Sequence, residues 1–323
     1  MIIQDTNPYI SVVMTSYNRA HYIGQAIDSI LAQECNFPIE IIIGDDCSVD
    51  NSRELLQSYK DKYPNIFVLN FQSENVGFGP NWASTCKLAR GKYIAFLDDD
   101  DYWCDESRLQ VMADIMDADD SIGLIYTNRF ILDVESGEKH PANISIPEEV
   151  DIVDYLHTKG FPILFSTSMV RKTLINTYVN LDDYIRLKFP IQDWPTAMLI
   201  APYCKFKYIE KPTVVYRSYQ GSMSKPQTYE QITKKYAAEK VSYAYVMEKL
   251  HIPFDEPGWD CYVNHLLLSL AYNRGDYKEA KYYAKQFDTK SIKILCAHNR
   301  LLFHLFRFGK YLKCKMLNNN KTI

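Results

Sequence analysis

Four consecutive carboxylates, Asp98-Asp99-Asp100-Asp101, follow directly on the apolar run Tyr93-Ile94-Ala95-Phe96-Leu97 and lead into Tyr102-Trp103. Such a run is the pattern of a strand covered on both faces, as strands are in the parallel sheet of an α/β domain. Acids at its end sit where open α/β sheets bind ligands, beyond the carboxyl edge. Adjacent like charges repel by about 1 kcal/mol even in water, and by more when partly desolvated. A hard divalent cation with oxygen ligands, Mg2+ or Mn2+, relieves that repulsion. The bland alternative is a solvated acidic turn that caps the following helix.

The preceding residues repeat the arrangement. Strand-like runs at 10–15, 39–44, 66–71, 93–97 and 122–126 alternate with helical spacings at 22–32, 80–89 and 106–116. A further helix runs to Tyr59 behind candidate caps Ser48, Asp50 and Asn51. Short connections and strict alternation predict a Rossmann-like, mostly parallel sheet with helices on both faces. Thr15-Tyr17, Asp45-Asp46 and Asp98-Asp101 then share one sheet edge. Beyond residue 127 the alternation loosens. A hairpin is expected around Glu135-Ser136-Gly137-Glu138, and strands at 163–170, 206–209 and 214–217. Pro190-Ile191-Gln192-Asp193-Trp194 opens a helix running to about Ile200. After residue 225 the texture is helical, with a hairpin turning at Asn273-Arg274-Gly275-Asp276 that resembles one tetratricopeptide unit. The expected organisation is a domain over 1–225, divided at 127/128, then a helical region over 226–323.

A net charge of −4 carries no electrostatic signature for nucleic acid. Eight cysteines without a CxxC pair suit a reducing compartment. The first residues lack a secretory pattern, and no apolar run approaches the ~18 residues of a membrane span, so a cytoplasmic protein is expected.

The first strand is not followed by a glycine-rich phosphate loop, so a nucleotide must be held otherwise. Tyr17 offers a face for stacking a base, and Asp46 can accept from a base N–H. The segments Ser11-Val12-Val13-Met14-Thr15-Ser16-Tyr17-Asn18-Arg19, Gly44-Asp45-Asp46-Cys47-Ser48-Val49-Asp50, Asn75-Val76-Gly77 and Leu97-Asp98-Asp99-Asp100-Asp101-Tyr102-Trp103 together resemble the family 2 inverting glycosyltransferases, which have the GT-A fold. The resemblance covers residues 10 to about 220, and it implies that 1–127 is the nucleotide-binding part and 128–225 the acceptor side. It implies a base pocket at Thr15, Tyr17 and Asp46, with Asn18 and Arg19 among the donor-binding residues. It also places Asp98 and Asp99 near the donor's ribose and sugar, and Asp100, with Asp98, on a metal at the diphosphate. Gln192-Asp193-Trp194 matches the family's Glu-Asp-Trp, whose Asp is the catalytic base. Gln192 in place of Glu, and Asp99 where a small residue is common, depart from the pattern; the second leaves open which acid touches the metal. Arg217, Ser222 and Ser224 fall where relatives close a segment over the donor phosphates, although a surface turn would look the same.

The residues by themselves allow the same chemistry. A cation neutralises the charge developing on a nucleoside diphosphate leaving group. A carboxylate at Asp193 can take the acceptor's proton, or simply cap its helix. The expectation is a metal-dependent transfer from a nucleotide sugar, UDP-linked, to a hydroxyl of a saccharide or lipid-linked glycan. A nucleotidyltransferase would carry a glycine-rich basic loop after the first strand, which Thr15-Ser16-Tyr17-Asn18 is not. A non-catalytic nucleotide-sugar sensor or scaffold would not need Asp193. Finally, 289–323 carries eight Lys and Arg and no acid among leucines and aromatics. That pattern suits peripheral contact with the inner face of an anionic membrane, and equally a terminal helix packed on the preceding hairpin.

Overall fold

The apolar runs pair as the alternation requires. In the computed structural model, which describes residues 7–144, 163–219 and 226–287 with four positions between 297 and 304, β1 (Ile10–Ser16) lies between β2 (Ile39–Asp45) and β4 (Tyr93–Phe96), and β3 (Phe67–Phe71) flanks β2. All three of these pairings are parallel. Every residue of β1 and β4 is buried. Ile10, Val12, Met14, Tyr93 and Ala95 pack into one core with Ile23, Ala26, Ile27 and Ile30 of α1 (Ile23–Leu31) and Leu109, Met112, Ala113 and Met116 of α4 (Arg108–Ala118). From the opposite face Phe96 meets Trp82 of α3 (Phe78–Cys86) and stacks on Phe165 at 4.6 Å. Two covered faces explain why these runs are continuous rather than alternating. The fourth helix of this half is α2 (Ser52–Lys62).

The second half of the sheet is mixed. β8 (Ser168–Arg171) runs antiparallel between β4 and β6 (Ile122–Asp133); β6 is parallel to β9 (Lys205–Ser218) and antiparallel to β7 (Lys139–Pro141). The nine-stranded order is β3-β2-β1-β4-β8-β6-β9-β5, with β5 at Tyr102–Trp103 and β7 on β6.

Two expectations and one alternative reading need correction. Residues 163–170 are not one strand: Phe165–Thr167 form a 3-10 turn and only Ser168–Arg171 pair. The Thr167 and Ser168 hydroxyls donate to the Leu164 carbonyl at 2.6 and 3.1 Å, a local alternative to ladder bonds. Residues 206–209 and 214–217 belong to a single strand, because β9 absorbs Glu210 and Lys211 in a bulge and places Pro212 opposite Asn128, where it need not donate. Tyr102–Trp103 form β5, antiparallel to Val214 and Val215, so Asp101 enters a strand and does not cap a helix.

The described residues of Met1–Gln220 and Val241–His251 make one compact unit, and those of Gly221–Lys240 and Ile252–Ile323 a second. The first unit also holds α5 (Lys172–Tyr178), α6 (Leu181–Arg186) and α7 (Asp193–Ile200). The chain passes between the units at 220/221, inside α8 (Tyr229–Lys249) at 240/241, and at 251/252. The second unit contains the expected helical hairpin, α9 (Glu256–Arg274) and α10 (Tyr277–Ala284). Gly275 at φ +77° ends α9 in the left-handed region, and Asp276 caps α10 by accepting from Glu279 N. No helix among the described residues is long and apolar enough to cross a membrane. The basic stretch 289–323 lies almost wholly outside the described residues.

Candidate active site

Three strand ends carry the site: β1, β2 and β4. Asp45, at the end of β2, is fully buried and holds its own loop, accepting from Arg53 Nε and from Ser48 N. The Ser48 hydroxyl then accepts from Asn18 N at 2.9 Å, and Asn18 Oδ1 accepts from Val49 N at 2.8 Å. Asn18 takes a left-handed φ of 55°, which Asn tolerates better than most residues. Asn18 therefore ties the loop after β1 to the loop after β2. Asp46 accepts from Val76 N at 2.8 Å and Gly77 N at 2.9 Å, one through each carboxylate oxygen. It pins the Asn75-Val76-Gly77 turn, where Gly77 at φ +94° needs glycine's freedom. Thr15 is buried beside Gly44, and the Tyr17 ring is 44% exposed above this edge, free to meet a flat ligand.

The acids beyond β4 are interlocked. Asp98 N donates to the Ser166 hydroxyl at 3.0 Å, and that hydroxyl donates back to Asp98 Oδ2 at 2.7 Å. Ser166 is itself held, because Trp103 Nε1 donates to its carbonyl at 3.1 Å. Asp99 accepts from Tyr17 N at 3.3 Å and lies 3.8 Å from Arg19 Nε, which is also 3.9 Å from Asp100. Tyr219 donates to Asp100 Oδ2 at 2.8 Å and accepts from Arg19 Nη2 at 3.1 Å. Asp101 is fully buried; Oδ1 accepts from Arg217 N at 3.0 Å while Oδ2 has no partner.

Burial, and then mutual repulsion, raises these groups. Asp98 is pushed up to about 7 by desolvation, by Asp100 and by Asp193, against the lowering hydrogen bond from Ser166. Asp99 and Asp101 are pushed well above the usual carboxylate range, first by burial and then by neighbouring acids. Burial would lower the Arg19 guanidinium, but Asp99, Tyr219 and Asp100 together carry it upward.

Asp193 opens α7 beside this cluster and accepts from Trp194 N at 2.7 Å. Trp194 stacks on Tyr243 at 3.7 Å, which fixes the start of the helix. Gln192, the departure from the family's Glu, is buried at the N-cap and makes no side-chain cap bond. Arg217 is not a surface group waiting for phosphate. Buried at the end of β9, it donates to the Asp100 carbonyl and to Gln25 Oε1, with its guanidinium 4.8 Å from the Tyr22 and Tyr102 rings. Ser222 and Ser224 lie outside the described residues.

Among the described residues no three His, Cys, Asp or Glu side chains converge as a ready metal cage. The donors present still suit a hard cation: they are carboxylate oxygens, and one of them, Asp101 Oδ2, is buried without a partner. Such cations are commonly held by one or two carboxylates together with substrate phosphates. The site fits a cation that arrives with a diphosphate.

The description "Glycosyl transferase family 2" matches residues 11–179, just over half of the chain. The chain belongs to this family. Over 96 residues, 30% of this chain and 37% of the relative, it is 40% identical to the putative teichuronic acid biosynthesis glycosyltransferase TuaG of Bacillus subtilis. The matched stretch spans only about a third of the length of such curated relatives. The structure of S. aureus TarS 1-349 in complex with UDP matches with TM-score 0.52 at 18% identity, over 91% of this chain and 82% of that one. A Pyrobaculum calidifontis mannosyltransferase in complex with GDP-Man and Mn2+ matches with TM-score 0.52 at 15% identity, over 94% and 88%. These two likenesses are of fold, and they agree with the α/β glycosyltransferase sheet expected from the sequence.

Two residues of this candidate site carry no signal in the sequence. Tyr219 lies two positions past Arg217 and carries no motif of its own. Ser166 sits in a stretch read as strand, and nothing local marks its bond to an acid 68 positions away.

Proposed function

We propose that this chain is an inverting, metal-dependent glycosyltransferase acting from a UDP-linked sugar on a hydroxyl of a saccharide or lipid-linked glycan. The observation that carries the proposal is the convergence at one sheet edge of Asp99, which accepts from Tyr17 N, and Asp100 on Arg19, beside the turn that Asp46 pins. Tyr17 stacks the base, while Asp46 with Thr15 borders it and Asn18 holds the two loops together. Asp98 and Asp99 face the ribose and sugar. Asp100, with Asp98, would hold Mn2+ or Mg2+, which when bound neutralises charge on the departing diphosphate. Arg19 lies against the same acids and can follow the diphosphate. Asp193 takes the acceptor's proton while the oxygen attacks from the face opposite the leaving group, so the anomeric centre inverts.

A UDP complex and a GDP-Man and Mn2+ complex of the fold neighbours support a nucleotide-sugar donor, and the putative teichuronic acid biosynthesis glycosyltransferase TuaG supports a saccharide acceptor. The basic stretch 289–323 suits an anionic, inner-face membrane surface where lipid-linked acceptors are presented. Co-flotation with phosphatidylglycerol vesicles, but not with neutral ones, tests that part. The catalytic reading is tested by a thermal-shift screen of nucleotide sugars with and without Mn2+, followed by transfer assays with the hits. A ligand bound to the native state raises its apparent stability by mass action. No stabilisation by any nucleotide or nucleotide sugar would end the proposal.

A further inference from the structure

We infer that Arg217 is the positioning residue of the acid turn: it clamps the main chain that carries Asp98, Asp99 and Asp100, so that their carboxylates meet a cation in one fixed arrangement. The inference rests on the glycosyltransferase reading for what the acids bind. The clamp itself is a set of contacts among β9, the acid turn and α1, all within one compact unit.

The turn needs an outside hold. β4 ends at Phe96, and the turn beyond it closes with Asp101 N donating to the Asp98 carbonyl at 3.2 Å. Charged carboxylates so close together repel and press such a turn open. Pairing with β9 begins only at Tyr102, opposite Val215. Just outside that pair a side chain takes over from the ladder, where Asp101 Oδ1 accepts from Arg217 N at 3.0 Å. The Arg217 guanidinium then folds back over the turn. Nη1 donates to the Asp100 carbonyl and Nη2 to Gln25 Oε1 of α1. The residue is 7% exposed, with its guanidinium 4.8 Å from both the Tyr22 and the Tyr102 ring. A planar fork can span two acceptors and stack on rings at once, which an ammonium cannot.

The atoms used decide what this contact does. Tyr219 and Arg19 meet the Asp100 carboxylate, where a cation would compete with them. Arg217 meets the Asp100 carbonyl instead, so it need not let go when a cation binds. The carboxylates can therefore change partners while the main chain beneath them stays tied to β9 and α1. Groups held in place before the ligand arrives spare the cost of ordering them at binding. A guanidinium engaged on two sides in this way supports the site from behind and does not follow a phosphate.

Hydrogen exchange on the unliganded full chain, and calorimetry of UDP with Mn2+ or with a chelator in its place, test this. In Arg217→Met the amides of 98–103 should exchange at least tenfold faster than in the parent. UDP affinity without metal should stay within twofold, whereas the gain in affinity on adding Mn2+ should shrink at least tenfold. Arg217→Lys should recover part of both. Gln25→Ala, at an exposed residue of α1, removes only the Nη2 acceptor and should move both readouts the same way by less. Added to Arg217→Met it should cost nothing further, because the group it holds is gone. If Arg217→Met does not fold, Arg217→Lys and Gln25→Ala carry the test. Unchanged exchange at 98–103 overturns the inference. So does a lower melting temperature with both affinities intact, which would make Arg217 merely structural. Weaker metal-free UDP binding with uridine binding intact would make it a phosphate contact, and overturns the inference too. A parent whose UDP affinity does not respond to Mn2+ sinks the cation reading and the role of the clamp with it. A responsive parent with equally responsive variants sinks the clamp alone.

Discussion

The hydroxyl of Tyr219 donates to Oδ2 of Asp100 across 2.8 Å, joining the end of β9 to the acid expected to face the cation. The same hydroxyl accepts from Arg19, so phenol and guanidinium together stand where a cation and diphosphate would compete for Asp100. A cation taking Asp100 Oδ2 would have to displace that contact.

Tyr219→Phe tests this competition. Removing one hydrogen bond to a carboxylate, worth about 1.5 kcal/mol or less once rearrangement is counted, should lower the Mn2+ concentration for half-maximal transfer by roughly 3–10-fold. A metal titration of initial rates reads it. A higher Mn2+ requirement would mean that Tyr219 supports Asp100 and does not compete for it.

Asp193→Asn separates proton transfer from helix capping. The amide oxygen can still accept from Trp194 N, so the start of α7 and donor binding should persist. Single-turnover transfer should nevertheless fall by about two to four orders of magnitude. If turnover per folded molecule stays near that of the parent, Asp193 is a cap, and Asp182 or Asp183 becomes the next candidate.

Tyr17 and Asp46 should behave differently although both belong to the proposed base pocket. The Tyr17 ring is exposed, so Tyr17→Ala should weaken UDP binding by roughly 1–3 kcal/mol with little loss of stability. Asp46→Ala removes both partners of the Val76 and Gly77 amides and should also cost about 2–3 kcal/mol of stability. Calorimetry of UDP binding and thermal melts on both variants decide it. Equal melting temperatures would show that the turn does not depend on Asp46.

The raised acids set a pH dependence. Asp98 is pushed up to about 7 in the folded chain, above its ordinary unfolded value, so the native state binds more protons between those two values. Stability therefore falls as pH rises from about 4 towards 7 and levels off above it. Asp99 and Asp101, raised for the same reason, act in the same direction. Melting temperature without divalent cation should be higher at pH 5.5 than at pH 8, by about 2–4 °C per kcal/mol of difference. Asp98→Asn should flatten that slope. An unchanged slope would assign it to other groups.

The sequence by itself determined the parallel half of the sheet, because runs such as Val12-Val13-Met14 and Ile94-Ala95-Phe96 can be buried on both faces only between helix layers. It also determined that polar clusters would gather at the carboxyl ends, since in a parallel sheet every strand of an alternating chain ends on the same edge. The four adjacent acids announced a charged site with no structural help. Tertiary structure decided which partners those acids have. Asp98 meets Ser166, Asp100 meets Tyr219, and Asp101 meets Arg217, across separations of 68, 119 and 116 residues. These bonds depend on how β8 and β9 pair with the rest of the sheet, and local spacing carries no record of that pairing. It likewise decided that Pro212 could sit within a long strand: the bulge opposite Asn128 relieves it of donating, and such relief is a property of two strands together.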